Sequence, residues 1–253
     1  MKTKSFLCIA LIALAFSCKK KNDTNPEPNP TSNPTPTVPE THYIPMNYND
    51  ANGILTVSNL ITKTTNGSSF SVSSSQMGIA KFTLVPNNFT SLVGAGSVSI
   101  NSSLCTQYAD SSYNNFNTFL NTTSDATWQV TGGANMPAFT YTSKTPTVTT
   151  GSGDIQVNKS VGFAFDFNNI TNKDSVSVKI ETTFSSTVTA STAEKRYLYS
   201  AGTASFSPAE LSALPTGTLN LIVKCKKYAK DTVSGKYFYF VNNTQFTQNV
   251  IVN

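Results

Sequence analysis

Histidine is almost absent from this chain: its 253 residues contain one, His42, and that one lies in a proline-rich stretch. One histidine in such a stretch all but removes Ser-His-Asp catalysis, histidine-based metal sites and histidine acid/base chemistry. Cysteine is scarce as well, at four, and charged residues are only 12% of the total, 18 Lys+Arg against 13 Asp+Glu. No apolar run reaches the ~20 residues that a membrane-spanning helix needs, and no long pattern of period 3.6 is present. What is abundant points elsewhere. With 16 Phe, 10 Tyr and one Trp, the chain is too aromatic for a disordered polymer, and its length suits one or two packed domains. Low charge with much Ser, Thr and Asn suits an all-β extracytoplasmic protein, because β-branched Thr fits a pleated surface while Asn and Ser fit turns.

The first residues carry an address. MKTKSFLCIALIALAFSC places Lys2 and Lys4 before an apolar run from Phe6 to Phe16, then Ser17 and Cys18, which is the layout of a secretory signal peptide over residues 1–17. LAFSC resembles the lipobox of bacterial lipoproteins. The resemblance implies cleavage before Cys18, lipidation of its thiol and anchoring by acyl chains, each buried CH₂ contributing ~0.8 kcal/mol. Cleavage would leave a mildly basic mature chain. Lys19, Lys20 and Lys21 follow the anchor, where each could gain roughly 1 kcal/mol against anionic headgroups. Lys rather than Asp after the lipidated Cys resembles lipoproteins sorted to the outer membrane of Gram-negative bacteria; which face the domain occupies stays open.

A stalk is expected next, so that residues 18–42 form the lipidated Cys and a linker. Pro26, Pro28, Pro30, Pro34, Pro36 and Pro39 are half of the 12 prolines, and almost nothing between them is apolar. Such a segment cannot form a core and favours polyproline II at ~3.1 Å per residue, a semi-rigid spacer. The competing expectation is a Pro-rich ligand for an aromatic groove. His42 ends this stretch as an unliganded residue.

From residue 43 onward the sequence predicts strands. Apolar residues recur two apart in SVSI (Val98, Ile100), VGFAFDF (Val161, Phe163, Phe165, Phe167), SVSVKI (Val176, Val178, Ile180) and TLNLIVKC (Leu219, Leu221, Val223, Cys225). Residues at that spacing share one face of a strand, so these are strands with one buried and one wet face. Turn clusters such as NDANG, PNN, TGG and NNITNKD separate them. SPAELSALPTG predicts one short helical turn: Ser207 and Glu210 form a capping box around Pro208, Leu211 and Leu214 share a face, and Pro215 ends it. KKYAKDTVSGKYFYFVNN predicts a hairpin turning near Asp231 to Gly235.

LPTGTLNLIVKC resembles the corner entering a late strand of immunoglobulin-like and fibronectin-type sandwiches, with Leu219 where a corner Tyr might stand. YNDANGILTV, GAGSVSINSSL, the Trp128 segment WQVTGGANMPAFTYT, KDSVSVKI and FSPAELSALPTGTL together resemble uncharacterised lipoproteins of the Bacteroidota. That resemblance implies no activity. The expected fold is all-β with two β-sandwich-like domains, residues 43–143 and an immunoglobulin-like domain at 144–253. TSKTPTVTTGSGD is either the linker between them or a strand crossing within one larger sandwich.

Chemistry-bearing motifs are few. With Cys8 removed and Cys18 acylated, Cys105 and Cys225 remain: a disulfide is allowed in an oxidising compartment, but Cys225 also continues the apolar face of Leu219, Leu221 and Val223. Two cysteines without histidine give no zinc site. NYNDANG lacks both the first Asp and the final Glu of a calcium loop and is expected to be a tight turn. The carboxylates are scattered singly, so a hydrolase requires a cleft that brings two together. The notable patch is Lys224, Lys226, Lys227, Tyr228, Lys230, Tyr237 and Tyr239, joined by Lys236. On one hairpin face, such cations and rings would hold an acidic glycan; the alternative is an edge hairpin whose lysines discourage aggregation. KDSVS and KDTVS resemble the short O-glycosylation sequon of Bacteroidota, which implies sugars on Ser175 and Thr232. The expected function is a non-catalytic envelope lipoprotein without cofactor or metal, acting as a binding, adhesion or accessory module whose ligand is a glycan or another envelope protein, with a carboxylate-based hydrolase the least favoured reading. The alternative is a scaffold subunit binding an envelope protein, with nucleic acid excluded by export and mild charge. Exposed rings near Tyr113, Phe116 and Phe119 would favour the glycan, a broad apolar patch the scaffold.

Overall fold

The structure is a computed structural model that describes residues 46–66, 69–116, 125–148, 154–182, 191–198 and 201–253. Cys18, Lys19 to Lys21, the proline stretch, His42 and Phe119 lie outside the described residues, as do positions 149–153 of the expected linker. The expected all-β class is observed: fifteen strands and one helix are present among the described residues. No helix there is long and apolar enough to cross a membrane.

A long sheet organises the molecule. The chain enters through a turn closed by the Ala51 N–H on the Tyr48 carbonyl, 2.9 Å, and starts β1 (Ala51–Asn66), which folds back as β2 (Ser69–Phe82). The last two strands, β14 (Gly217–Val233) and β15 (Lys236–Val252), form a second long hairpin. Its turn is the pair Ser234 and Gly235, both at positive φ (50° and 73°), the conformation that matches strand twist in a two-residue loop. β1 lies parallel to β15, from Ala51 opposite Tyr237 to Lys63 opposite Gln248. Beyond that point β9 (Ile155–Val157) takes over the same edge of β15, opposite Val250–Val252. The order is completed by β11 (Ser175–Glu181) and β12 (Thr192–Leu198) beside β14, and by β6 (Tyr113–Asn115) and β5 (Thr106–Gln107) beyond β2.

Two small layers cover one face of this sheet. β3 (Val98–Ile100), β4 (Ser103–Leu104), β7 (Ala126–Val130) and β8 (Phe139–Ser143) make one sheet. They enclose a core with Leu55, Phe82, Ile100, Trp128, Phe238 and Phe240. Rings interlock there: Tyr141 stacks on Phe240 at 3.9 Å and Phe139 meets Phe238 at 4.5 Å. Gly53 permits the close approach, since a Cβ on it would lie 2.6 Å from the Phe238 ring. The other layer is β10 (Phe163–Asp166), β13 (Thr203–Phe206) and the helix α1 (Pro208–Leu211), over Val178, Leu221, Val223, Phe246 and Val250. The capping box is formed as expected: Glu210 N donates to Ser207 Oγ, Ser207 N donates to Glu210 Oε2, and Leu211 and Leu214 are buried. Val161 departs from the expected pattern. It is 78% exposed, because β10 starts two residues later.

Between the two cores the inner face turns polar. Along β15 the inward residues run Phe238, Phe240, Asn242, Thr244, Phe246, with Asn242 and Thr244 fully buried. Asn242 Nδ2 donates to Ser143 Oγ and to the Lys144 carbonyl, both at 2.8 Å, and Thr244 Oγ1 donates to the Pro146 carbonyl at 2.7 Å. The segment from Ser143 to Pro146 is thus a strap across the sheet. Buried backbone carbonyls require donors, and here the sheet supplies them. The expected boundary between residues 143 and 144 falls on this strap, while β1 and β15, from opposite halves of the sequence, pair across it. The described residues from Met46 to Asn253 belong to one compact unit.

Cys105 belongs to the first core and Cys225 to the second, and both thiols are free. This corrects the disulfide alternative: each behaves as a small buried hydrophobe, and burial pushes Cys105 up to about 11 and Cys225 up to about 12.

Candidate functional site on the open face of the sheet

Strand alternation decides which of the expected patch residues meet. On β14 the odd residues Leu219 to Cys225 fill the core, so the even residues Lys224, Lys226, Tyr228 and Lys230 project to the opposite, open face. On β15 Tyr237 and Tyr239 project the same way. Lys227 does not. It lies on the inward side, where its ammonium pairs with Asp174 at 2.7 Å while Tyr228 N donates to the other Asp174 oxygen at 2.7 Å. The patch is therefore split, and Lys227 is a structural partner of the loop before β11.

The aromatic end is internally satisfied. Lys230 Nζ pairs with Asp50 at 2.5 Å and sits 4.1 Å above the Tyr237 ring and 5.2 Å from the Tyr239 ring. The Tyr239 hydroxyl donates to the other oxygen of Asp50, and Tyr48 packs edge-on against Tyr239 at 5.2 Å. Hydrogen bonds from Lys230 and Tyr239 hold the Asp50 carboxyl below its ordinary range, and Asp50 in turn raises Lys230. Burial and then Asp50 push Tyr239 upward. This cluster fastens the turn before β1 to the hairpin and leaves Tyr237 as its exposed ring, with the Lys230 ammonium over it.

The other end is different. Lys224 faces Ser177 on β11 and Gln245 on β15, and Lys226 faces Ser175 and Asn243. Neither lysine has an acidic partner among the described residues. A depression of ≈ 200 Å³ lies on the β11 side, lined by Ser175, Ser177, Glu194, Arg196 and the two lysines. A second of ≈ 260 Å³ lies on the β1 side, lined by Ser58, Leu60, Asn243, Gln245 and the same lysines. The lysines form the ridge between them. Arg196 is held by Glu194, Nε to Oε1 at 3.1 Å, and Ser177 Oγ donates to the same oxygen at 3.0 Å. Burial works to raise the Glu194 carboxyl, but these donors outweigh it and leave it below its ordinary value.

Arg196, Ser177, Ser58, Asn243 and Gln245 were not identified from sequence, because cross-strand neighbours follow from sheet order and register. Alternation alone, however, separates Lys227 from Lys224 and Lys226. Ser175 is buried, 6% exposed, whereas Thr232 beside the hairpin turn is exposed. Tyr113 is buried, its hydroxyl accepting from Ala95 N at 2.8 Å, and Phe116 is exposed. Asp125 pairs with Lys144, Glu181 with Lys179 and Glu210 with Lys195, and no cluster of His, Cys, Asp and Glu that could hold a metal occurs among the described residues. This surface offers two lysines without an acidic partner among the described residues, neutral hydrogen-bonding groups, and the Glu194–Arg196 pair at one edge. Comparison of the chain with protein-family models, curated proteins and solved structures finds no match.

Proposed function

We propose that this chain is a non-catalytic outer-membrane lipoprotein of the Bacteroidota kind, anchored through Cys18, that binds a glycan on the open face of its long sheet. The observation that carries the binding role is the Lys224–Lys226 ridge: two cations without an acidic partner among the described residues, between a depression lined by serines and the Glu194–Arg196 pair and another lined by hydroxyls and amides. Free charge on a rigid sheet costs little reorganisation when an anion arrives, which favours binding without chemistry. LAFSC and the proline-rich spacer support the anchor, and a spacer would hold this face clear of the lipid. The scaffold alternative is supported by Phe70 and Val72 on β2, each 50% exposed. Thr232, exposed beside the turn, is the accessible candidate for O-glycosylation.

A glycan array probed with the full chain in non-ionic detergent tests the binding role: spots retained above a denatured control support it, and a blank array moves the assignment to the protein scaffold. For the anchor, Cys18→Ala is expected to release the protein from membranes into the soluble fraction; persistence in the membrane would reject lipidation.

A further inference from the structure

We infer that the ridge selects an acidic polysaccharide of low charge density, in which an anionic sugar alternates with a neutral one, lying across β14. This rests on the glycan-binding role proposed above and names the class of glycan. Lys224 and Lys226 are two residues apart on one strand face, so their Cβ atoms lie ~7 Å apart. Together they hold one anionic group or two neighbouring oxygens of it, rather than a long row of charges. The surroundings differ on the two sides. Toward β11 and β12, Glu194 keeps a fixed negative charge beside the ridge, and it already occupies Arg196. Toward β15 and β1, Ser58, Asn243 and Gln245 are uncharged. A ligand acidic at every unit would set its next carboxylate against Glu194 or over neutral amides. One with a neutral, hydroxyl- and amide-bearing unit there finds donors and acceptors instead.

Other polyanions fit less well. None of the side chains lining either depression is aromatic, and single-stranded nucleic acid relies on base stacking. Duplex DNA draws its affinity from many phosphate contacts at once, and two lysines at roughly 1 kcal/mol each are too few for a headgroup surface.

The test uses the full lipidated chain in non-ionic detergent, titrated with hyaluronan (acidic and neutral sugars alternating), alginate (acidic throughout), neutral dextran and a single-stranded oligothymidylate. Hyaluronan is expected to bind best, and to weaken when salt is raised from about 0.05 to about 0.5 M. Lys224→Ser and Lys226→Ser are each expected to lower its affinity roughly tenfold, since each removes a charge-assisted contact. Lys144→Ser, on the strap across the opposite face and paired with Asp125, is expected to leave it unchanged. Glu194→Gln is expected to raise alginate affinity relative to hyaluronan, a shift that a merely structural role would not produce. Binding to dextran that ignores the lysines overturns this inference and leaves the glycan-binding role standing; failure of all three polysaccharides overturns both. Hyaluronan binding untouched by either lysine variant, or an oligothymidylate that binds more tightly, overturns the assignment of this face. Should a serine variant not fold, Lys226→Gln at its half-buried position carries the same test.

Discussion

The polar strap between the two cores makes a measurable demand on stability, and Asn242→Ala isolates it. Asn242 is 0% exposed and its amide makes two hydrogen bonds of 2.8 Å, to Ser143 Oγ and the Lys144 carbonyl. Losing them costs ~2 kcal/mol, and the stranded Lys144 carbonyl adds ~1 kcal/mol. Against this, Asn242 Oδ1 has no partner, and removing it returns ~1 kcal/mol of desolvation. The net expectation is a destabilisation of ~2 kcal/mol. With a urea dependence of ~2–3 kcal/mol per molar, the unfolding midpoint falls by ~0.7–1 M. Trp128, the one tryptophan, is buried in the first core, so its fluorescence reports that lobe while far-UV circular dichroism reports the whole sheet. Both curves are expected to shift together, because β1, β14 and β15 run through both lobes. Asn249→Ala, on the open face of the same strand, is expected to stay within ~0.5 kcal/mol. A midpoint shift under ~0.2 M for Asn242→Ala would refute the strap's role. Separation of the two probes would refute the coupling of the lobes.

Three further outcomes are expected. Ser207→Ala removes the acceptor for Glu210 N at the start of α1 and is expected to cost ~1 kcal/mol in thermal unfolding, while Ser207→Gly costs only a few tenths; an unchanged Tm for the alanine variant rejects the cap. With Cys225 pushed up to about 12 and Cys105 up to about 11, roughly a thousandth or less of either is thiolate at pH 8. Mass spectrometry after alkylation is expected to find both unlabelled in native protein and labelled after denaturation, and rapid native labelling of either contradicts their burial. Asp50, held below its ordinary value by Lys230 and Tyr239, contributes stability above the unfolded carboxylate range near pH 4, and that contribution is lost as pH falls through its lower folded value. Asp50→Asn is therefore expected to be less stable than the parent at pH 7 and to converge on it in acid; an equal gap at pH 7 and at pH 2.5 rejects the linkage.

Local features were legible because local physics makes them. The alternation that buries Val176, Val178 and Ile180, or Leu219 through Cys225, is a consequence of the two-residue pleat and needs no partner to be read. The same holds for the capping box at Ser207 and Glu210 and for the turn at Ser234 and Gly235, whose backbone conformations depend on neighbouring residues. Parity along β14 likewise suffices to separate Lys227 from Lys224 and Lys226.

Composition, alternation and turn chemistry suffice to identify a strand protein, where its strands alternate and which residues cap and turn them. Which strands lie side by side depends on non-local packing. The parallel pairing of β1 with β15 joins residues from the two ends of the folded region, and no short-range pattern encodes a contact whose stabilisation comes from burying a shared face. For the same reason Asn242 and Thr244, polar residues in an apolar series, find their purpose only when the strap crosses them. Cys105 and Cys225 are kept apart by belonging to different cores. Arg196, Ser177, Ser58, Asn243 and Gln245 reach the lysine ridge because sheet order, set by non-local packing, places their strands beside β14.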